Sequence, residues 1–133
     1  ICDVGCGTGI LSIISEKRGA KLVDAIDISI NCYHNTLENI KRNNCCKIKT
    51  IHSSSDTLIG NFYDMILSNI TLNNLKDNFE NFNKISNDKT TLILSGFYEN
   101  DLENINEVLN NFGFIFSDYK TRNNWVASRY YHK

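Results

Sequence analysis

Ile1-Cys2-Asp3-Val4-Gly5-Cys6-Gly7-Thr8-Gly9 is the segment around which the rest of the chain is organised. An apolar strand end runs into an acidic residue, three glycines alternate with small residues, and a helix-like pattern starts at Ile10. A glycine-rich turn between a strand and a helix lets a ligand approach the backbone closely, because no Cβ stands in the way. A dinucleotide fingerprint requires G-x-G-x-x-G. Here Ile10 occupies the place of the third glycine, which argues against a nicotinamide-linked oxidoreductase. What stands instead is acid-x-Gly-x-Gly-x-Gly, from Asp3 to Gly9.

Working outward, Thr8 can cap the helix that follows. Ile10, Leu11, Ile13 and Ile14 supply its apolar face, Lys17 and Arg18 sit at its negative end, and Gly19 stops it. Leu22, Val23, Ala25 and Ile26 form a near-continuous apolar run ending at Asp27, which suits a parallel strand covered on both faces. In nucleotide-binding βαβ units, an acidic residue about twenty positions past the glycine loop takes the ribose hydroxyls. Asp27 stands at that place. The alternative is that Asp27 caps the helix beginning near Ser29, with Ile28 as a hydrophobic staple. Ribose binding is preferred.

Ile30, Tyr33, Leu37 and Ile40 recur at helical spacing, and Asn43-Asn44 end that stripe. Ile48 and Ile51 suggest a third strand, followed by Ser53, Ser54, Ser55 and Asp56. A buried strand ends at Ser68-Asn69, where ligands sit in open α/β sheets if the strand order reverses there. Leu72, Leu75, Phe79 and Phe82 give another helix, Asn87-Asp88 a turn, and Thr91 to Gly96 a fifth strand. Leu102, Ile105, Leu109 and Phe112 give the next helix, which Gly113 ends. Phe114-Ile115-Phe116 and Trp125-Val126-Ala127 flank Arg122-Asn123-Asn124, a turn too short for a crossover helix, so these two strands are antiparallel. Trp125 is expected in the hairpin core. The tail Arg129 to Lys133 is expected at a solvated edge.

With 133 residues the chain is one domain, long enough to bury a core. The formal charge of -1 excludes a basic nucleic-acid footprint over the whole chain. There is no apolar run near a membrane span and no secretory signal pattern. Five cysteines (Cys2, Cys6, Cys32, Cys45 and Cys46) without a C-x-x-C pair speak against a zinc site and a disulfide framework. A reduced, cytoplasmic chain and no metal are expected. His34, His52 and His132 share no spacing. The chain lacks an initiator Met and opens inside a strand, so a fragment of a longer protein is expected.

The loop from Asp3 to Gly9 resembles the first motif of S-adenosylmethionine-dependent methyltransferases. That resemblance implies a Rossmann-like class I α/β fold: a mostly parallel seven-stranded sheet with a terminal antiparallel strand and helices on both faces. It implies that the loop wraps the methionine end of S-adenosyl-L-methionine and that the acidic residue reaches its amino group. It also implies that the loop after strand three holds the adenine. On these positions the cofactor-binding residues are Asp3, Gly5, Cys6, Gly7, Thr8, Gly9, Asp27, Ile28, Ser54 and Asn69.

Several further stretches resemble the PrmA-type enzymes that methylate amino groups of a large-subunit ribosomal protein. They are Asp3 to Ile13, Ala25-Ile26-Asp27-Ile28, Ser68-Asn69-Ile70, Leu94-Ser95-Gly96 and Trp125-Val126, in family order. The Pro-Gly-Gly turn common before strand five is replaced by Asn87-Asp88-Lys89. The family's N-terminal substrate-recognition domain has no counterpart in the sequence. Asn69 precedes Ile70-Thr71 and not Pro-Pro-aromatic, which disfavours a planar amide or base nitrogen as acceptor. Asn69 is taken as the catalytic residue that accepts a hydrogen bond from the amine, the alternative being a strand-end cap. The resemblance implies a ribosomal protein as partner; no direct nucleic-acid binding and a monomer are expected. The alternatives are another methyl acceptor, RNA or a small molecule, and a non-catalytic methyltransferase-like module.

Overall fold

The apolar run before the glycine loop is a strand, β1 (Cys2–Val4), buried along its length. It belongs to the first of two units, Ile1–Thr57 and Leu58–Lys133, of a computed structural model that describes residues 1–133. In the first unit β1 pairs in parallel with β2 (Val23–Asp27), and β2 pairs in parallel with β3 (Ile48–His52). Parallel neighbours need crossovers. Helices α1 (Ile10–Lys17) and α2 (Ile30–Arg42) supply them. Strand β2 begins one residue later than its apolar run suggests. Leu22 lies outside it and is exposed, while Val23, Ala25 and Ile26 are buried.

Helix α1 departs from expectation at its start. Thr8 does not cap it; the N-cap is Gly9, in a left-handed conformation with φ 79°, with no side-chain cap. The phase also differs. Ser12 and Ile13 face inward while Ile10 and Ile14 are exposed. Four isoleucines and leucines in five positions do not fix a helical phase; the bond from Ser12 to Asp3 described below does. Helix α2 shows a similar shift of phase: of its stripe only Ile40 is buried, together with Thr36, while Tyr33 and Leu37 are half-buried and Ile30 is exposed. Ser29 caps it through its side chain, which accepts from the Cys32 N–H, so the cap role considered for Asp27 belongs to Ser29. Asn43 and the left-handed Asn44 (φ 52°) end it.

In the second unit β4 (Met65–Asn69) and β5 (Thr91–Tyr98) are parallel neighbours joined through α3 (Leu72–Lys84). Helix α4 (Leu102–Asn111) leads to β6 (Phe114–Arg122), and a hairpin returns as β7 (Trp125–His132). The order within this unit is β4-β5-β7-β6, with β7 antiparallel to both neighbours. The hairpin turn is Asn123-Asn124, both at positive φ (51° and 65°). A two-residue turn of that hand matches the twist of the strands it joins. Leu75, Phe79 and Phe82 of α3, Ile105 and Leu109 of α4, and Leu92, Leu94 and Phe97 of β5 are all buried. Each such side chain contributes about 1.5–3 kcal/mol of burial.

Two expectations on the hairpin fail. Trp125 is 48 % exposed and stacks on Tyr98, with ring centroids 4.3 Å apart, instead of filling the core. Tyr130 is fully buried and donates to Asn106 Oδ1 at 2.8 Å, so the tail is an interior strand and not a solvated edge. A strand with apolar residues on both alternating sets does not reveal which set faces inward. No helix is long and apolar enough to cross a membrane.

Candidate functional site

The loop between β1 and α1 is built from left-handed glycines at every second position: Gly5 (φ 76°), Gly7 (φ 57°) and Gly9 (φ 79°). Such angles are strained for residues with a Cβ, which explains the spacing. The N–H groups of Gly5 and Cys6 both donate to the Ile26 carbonyl, at 2.9 and 3.1 Å, and Gly9 N–H donates to the Cys6 carbonyl at 2.7 Å. The loop is thus sewn to the end of β2. A Cβ on Gly7 would meet nothing within 4 Å, so the backbone there borders open space. A Cβ on Gly9 would stand 2.8 Å from Thr36 Cγ2, which ties that glycine to close packing against α2.

Two carboxylates organise the loop. Asp27 Oδ2 accepts the Gly7 N–H at 3.0 Å, and Asp27 Oδ1 accepts the Ser29 N–H at 2.9 Å. One side chain therefore fixes both the glycine loop and the start of α2. A carboxylate offers about four acceptor sites, so two N–H donors leave room for further donors. Asp3 is 1 % exposed, and its Oδ2 accepts both the N–H (3.0 Å) and the hydroxyl (2.6 Å) of Ser12. Burial pushes the Asp3 carboxyl up to about 6, against the lowering effect of the Ser12 bonds, and the charge of Asp27 adds to the rise. A cation placed here would favour the ionised carboxylate and oppose that rise.

Helix α2 contributes residues with no signal of their own in the sequence. Thr36 is buried and donates its hydroxyl to the Gly7 carbonyl at 3.0 Å, while Cys6 Sγ lies 3.4 Å from the same hydroxyl. Asn39 Nδ2 donates to the Thr8 carbonyl at 2.8 Å. Together with Ser12 these were missed. The only available hint is that Thr36 and Asn39 form an i, i+3 polar pair beside the apolar stripe.

The other expected positions are placed as follows. Ile28 is an exposed apolar side chain just past Asp27, and its carbonyl lies 3.1 Å from His52 Nε2. Ser53 N–H donates to the Asp27 carbonyl at 3.1 Å, holding the chain after β3. Ser54 is exposed, with its hydroxyl on Asp56. In the second unit Asn69 ends β4, exposed, in register with Ser95 of β5. Thr71 is the N-cap of α3. Next to it Gly96, at φ 100°, lies so close to Ile70 that an added Cβ would stand 1.9 Å from the Ile70 carbonyl oxygen. The Ser68-Asn69-Ile70 and Leu94-Ser95-Gly96 stretches are therefore one packed feature.

The family described as "Ribosomal protein L11 methyltransferase (PrmA)" matches residues 1–132. The chain belongs to this family. Among ribosomal protein L11 methyltransferases, that of Porphyromonas gingivalis is 37 % identical over 132 residues, which cover 98 % of this chain and 45 % of the relative. The chain thus spans about half the length of the curated relatives it matches. The crystal structure of ribosomal protein L11 methylase from Lactobacillus delbrueckii subsp. bulgaricus superposes with a TM-score of 0.93 at 29 % identity, over 99 % of this chain and 68 % of that one. Magnesium protoporphyrin IX methyltransferase from Synechocystis, solved with bound SAM, gives a TM-score of 0.83 at 22 % identity, over 99 % of this chain and 69 % of that one. These likenesses establish the Rossmann-like α/β fold of class I methyltransferases. In this L11 methyltransferase family member, the loop, Asp27 and the strand-four end all fall within the matched residues.

Proposed function

We propose that residues 1–133 are the catalytic domain of an S-adenosylmethionine-dependent enzyme that methylates amino groups of ribosomal protein L11. The observation that carries this is the loop from Asp3 to Gly9, three left-handed glycines of which the middle one is held by the Asp27 carboxylate, in a chain that matches the family over residues 1–132. S-adenosylmethionine, when bound, supplies an electrophilic methyl group on a sulfonium. The residues fit that ligand: open backbone at Gly7, spare acceptor capacity on Asp27, and a second carboxylate, Asp3, that gains from a neighbouring cation.

Each residue then has a role. Asp27 accepts the ribose hydroxyls while keeping Gly7 and Ser29. Gly5, Cys6, Gly7, Thr8 and Gly9 line the methionine portion with backbone atoms, and Asp3 receives its amino group, directly or through water. Ile28 offers an apolar face to the adenine, with Ser54 beside it. Asn69 accepts a hydrogen bond from the substrate amine through its side-chain or backbone carbonyl. A lysine amine has an ordinary pKa of about 10.4 and reacts only when neutral. Alignment and desolvation supply most of the acceleration, so no strong general base is required. The enzyme acts in the cytoplasm as a monomer, on protein and not on nucleic acid.

The test is transfer of radiolabelled methyl groups by the intact protein to a mixture of undermethylated ribosomal proteins and ribosomal RNA. Label in L11, released from its amino groups on hydrolysis as methylated lysine or a methylated N-terminus, supports the proposal. Label confined to RNA or to a small molecule contradicts it.

A further inference from the structure

We propose that Thr36, on α2, is a positioning residue for the cofactor loop, acting through the Gly7 carbonyl, with Asn39 as the second point of the same clamp. The inference rests on the proposed binding of S-adenosylmethionine by that loop. Three alternating glycines give the loop many accessible conformations, so something outside it must select one. Two bonds from α2 do this. Thr36 Oγ1 donates to the Gly7 carbonyl at 3.0 Å, and Asn39 Nδ2 donates to the Thr8 carbonyl at 2.8 Å.

A hydroxyl carries one hydrogen. Because Thr36 spends it on Gly7, its contact with Cys6 at 3.4 Å is one in which the thiol donates. The Cys6 thiol, pushed up to about 11 by burial, keeps the proton it needs for that. The result is a directed chain from Cys6 S–H to Thr36 O–H to the Gly7 carbonyl. On the other side of the same residue, the Gly7 N–H points to Asp27 Oδ2. The Thr36 methyl fills the space a Cβ on Gly9 would need. Gly7 is thereby held from both sides, and the carboxylate expected to take the ribose is oriented by the same contacts.

When the selecting bond is lost, apparent affinity falls with the fraction of molecules whose loop is competent. The experiment is titration of the intact wild type, Thr36→Val, Thr36→Ser and Asn39→Ala with S-adenosylhomocysteine, alongside KM and kcat for S-adenosylmethionine. Valine keeps the shape and loses the hydroxyl; serine keeps the hydroxyl. Thr36→Val is expected to bind about tenfold more weakly and to raise KM far more than it lowers kcat, while Thr36→Ser stays within about threefold of wild type. Folded Thr36→Val with wild-type affinity overturns the clamp, as does a serine variant as weak as the valine one. If Thr36→Val does not fold, Asn39→Ala decides, because Asn39 is only half-buried. A loss of about threefold or more supports the clamp, and a smaller loss overturns it. Failure of the wild type itself to bind contradicts the proposed function together with the clamp, so the two failures are distinguishable.

Discussion

The carbonyl oxygen of Ile70 occupies the space where a Cβ on Gly96 would lie, at a separation of 1.9 Å. Strand β5 carries Gly96 at φ 100°, next to a register shift between Ser95 and Tyr98 in its pairing with β7. Only glycine satisfies both the angle and the approach. This contact fixes the backbone of the segment directly after Asn69, the residue proposed to receive the amine.

Gly96→Ala is therefore expected to destabilise the protein by at least about 2 kcal/mol, from steric overlap and backbone strain together. Urea unfolding of the intact protein checks this. A change within about 0.5 kcal/mol, the range of an ordinary surface substitution, would mean that Ile70 moves aside freely.

Asp27 has a structural role, and the proposed function adds a binding one. Asp27→Ala leaves the Gly7 and Ser29 N–H groups without their acceptor, at a cost of about 1–3 kcal/mol. Under the proposed function it also removes charge-assisted bonds to the ribose, so S-adenosylhomocysteine should bind at least about tenfold more weakly. Calorimetry paired with thermal unfolding separates the two effects. Lost stability with unchanged affinity would leave Asp27 as an organiser of the loop alone.

The buried carboxyl of Asp3 sets a pH dependence. Its folded value of about 6 lies above the ordinary 3.8, so the folded state holds the proton more tightly than the unfolded chain. Stability from this group is fully present below pH 4 and is lost as pH rises through about 6. Relative to Asp3→Asn, wild type should lose on the order of 2 kcal/mol between pH 4 and pH 7. Urea unfolding at both values tests it, and parallel profiles for the two proteins would contradict the assignment. Affinity for a ligand bearing an ammonium group should rise over the same interval as Asp3 ionises.

The glycine loop, the four helices and the closing hairpin were legible because each rests on local chemistry. Alternating glycines mark left-handed positions, stripes mark helices, and Asn123-Asn124 marks a tight turn. The clamp was not legible. Ser12 serves Asp3, while Thr36 and Asn39 serve a loop about thirty residues earlier. Local patterns do not encode such long-range partners. Phase was the other gap. In β7, Trp125 and Tyr131 belong to one alternating set and Val126 and Tyr130 to the other, and both sets look apolar. Pairing with β5 and contact with Asn106 chose the second set for the interior.

Trp125 offers a direct check of that choice. With about half its surface exposed and one stacking partner, Tyr98, Trp125→Ala should cost about 1–1.5 kcal/mol. Tyr130→Ala, emptying a fully buried site, should cost about 3–5 kcal/mol. Comparable losses from both in denaturant unfolding would contradict the assigned faces.

Binding of S-adenosylmethionine by the loop from Asp3 to Gly9, with Asp27, is tested by titration calorimetry of the intact protein with S-adenosylhomocysteine, with and without NADH as competitor. The expected result is one binding site for S-adenosylhomocysteine, unaffected by NADH and weakened at least about tenfold in Asp27→Ala. No binding of S-adenosylhomocysteine, or its displacement by NADH, would contradict the claim.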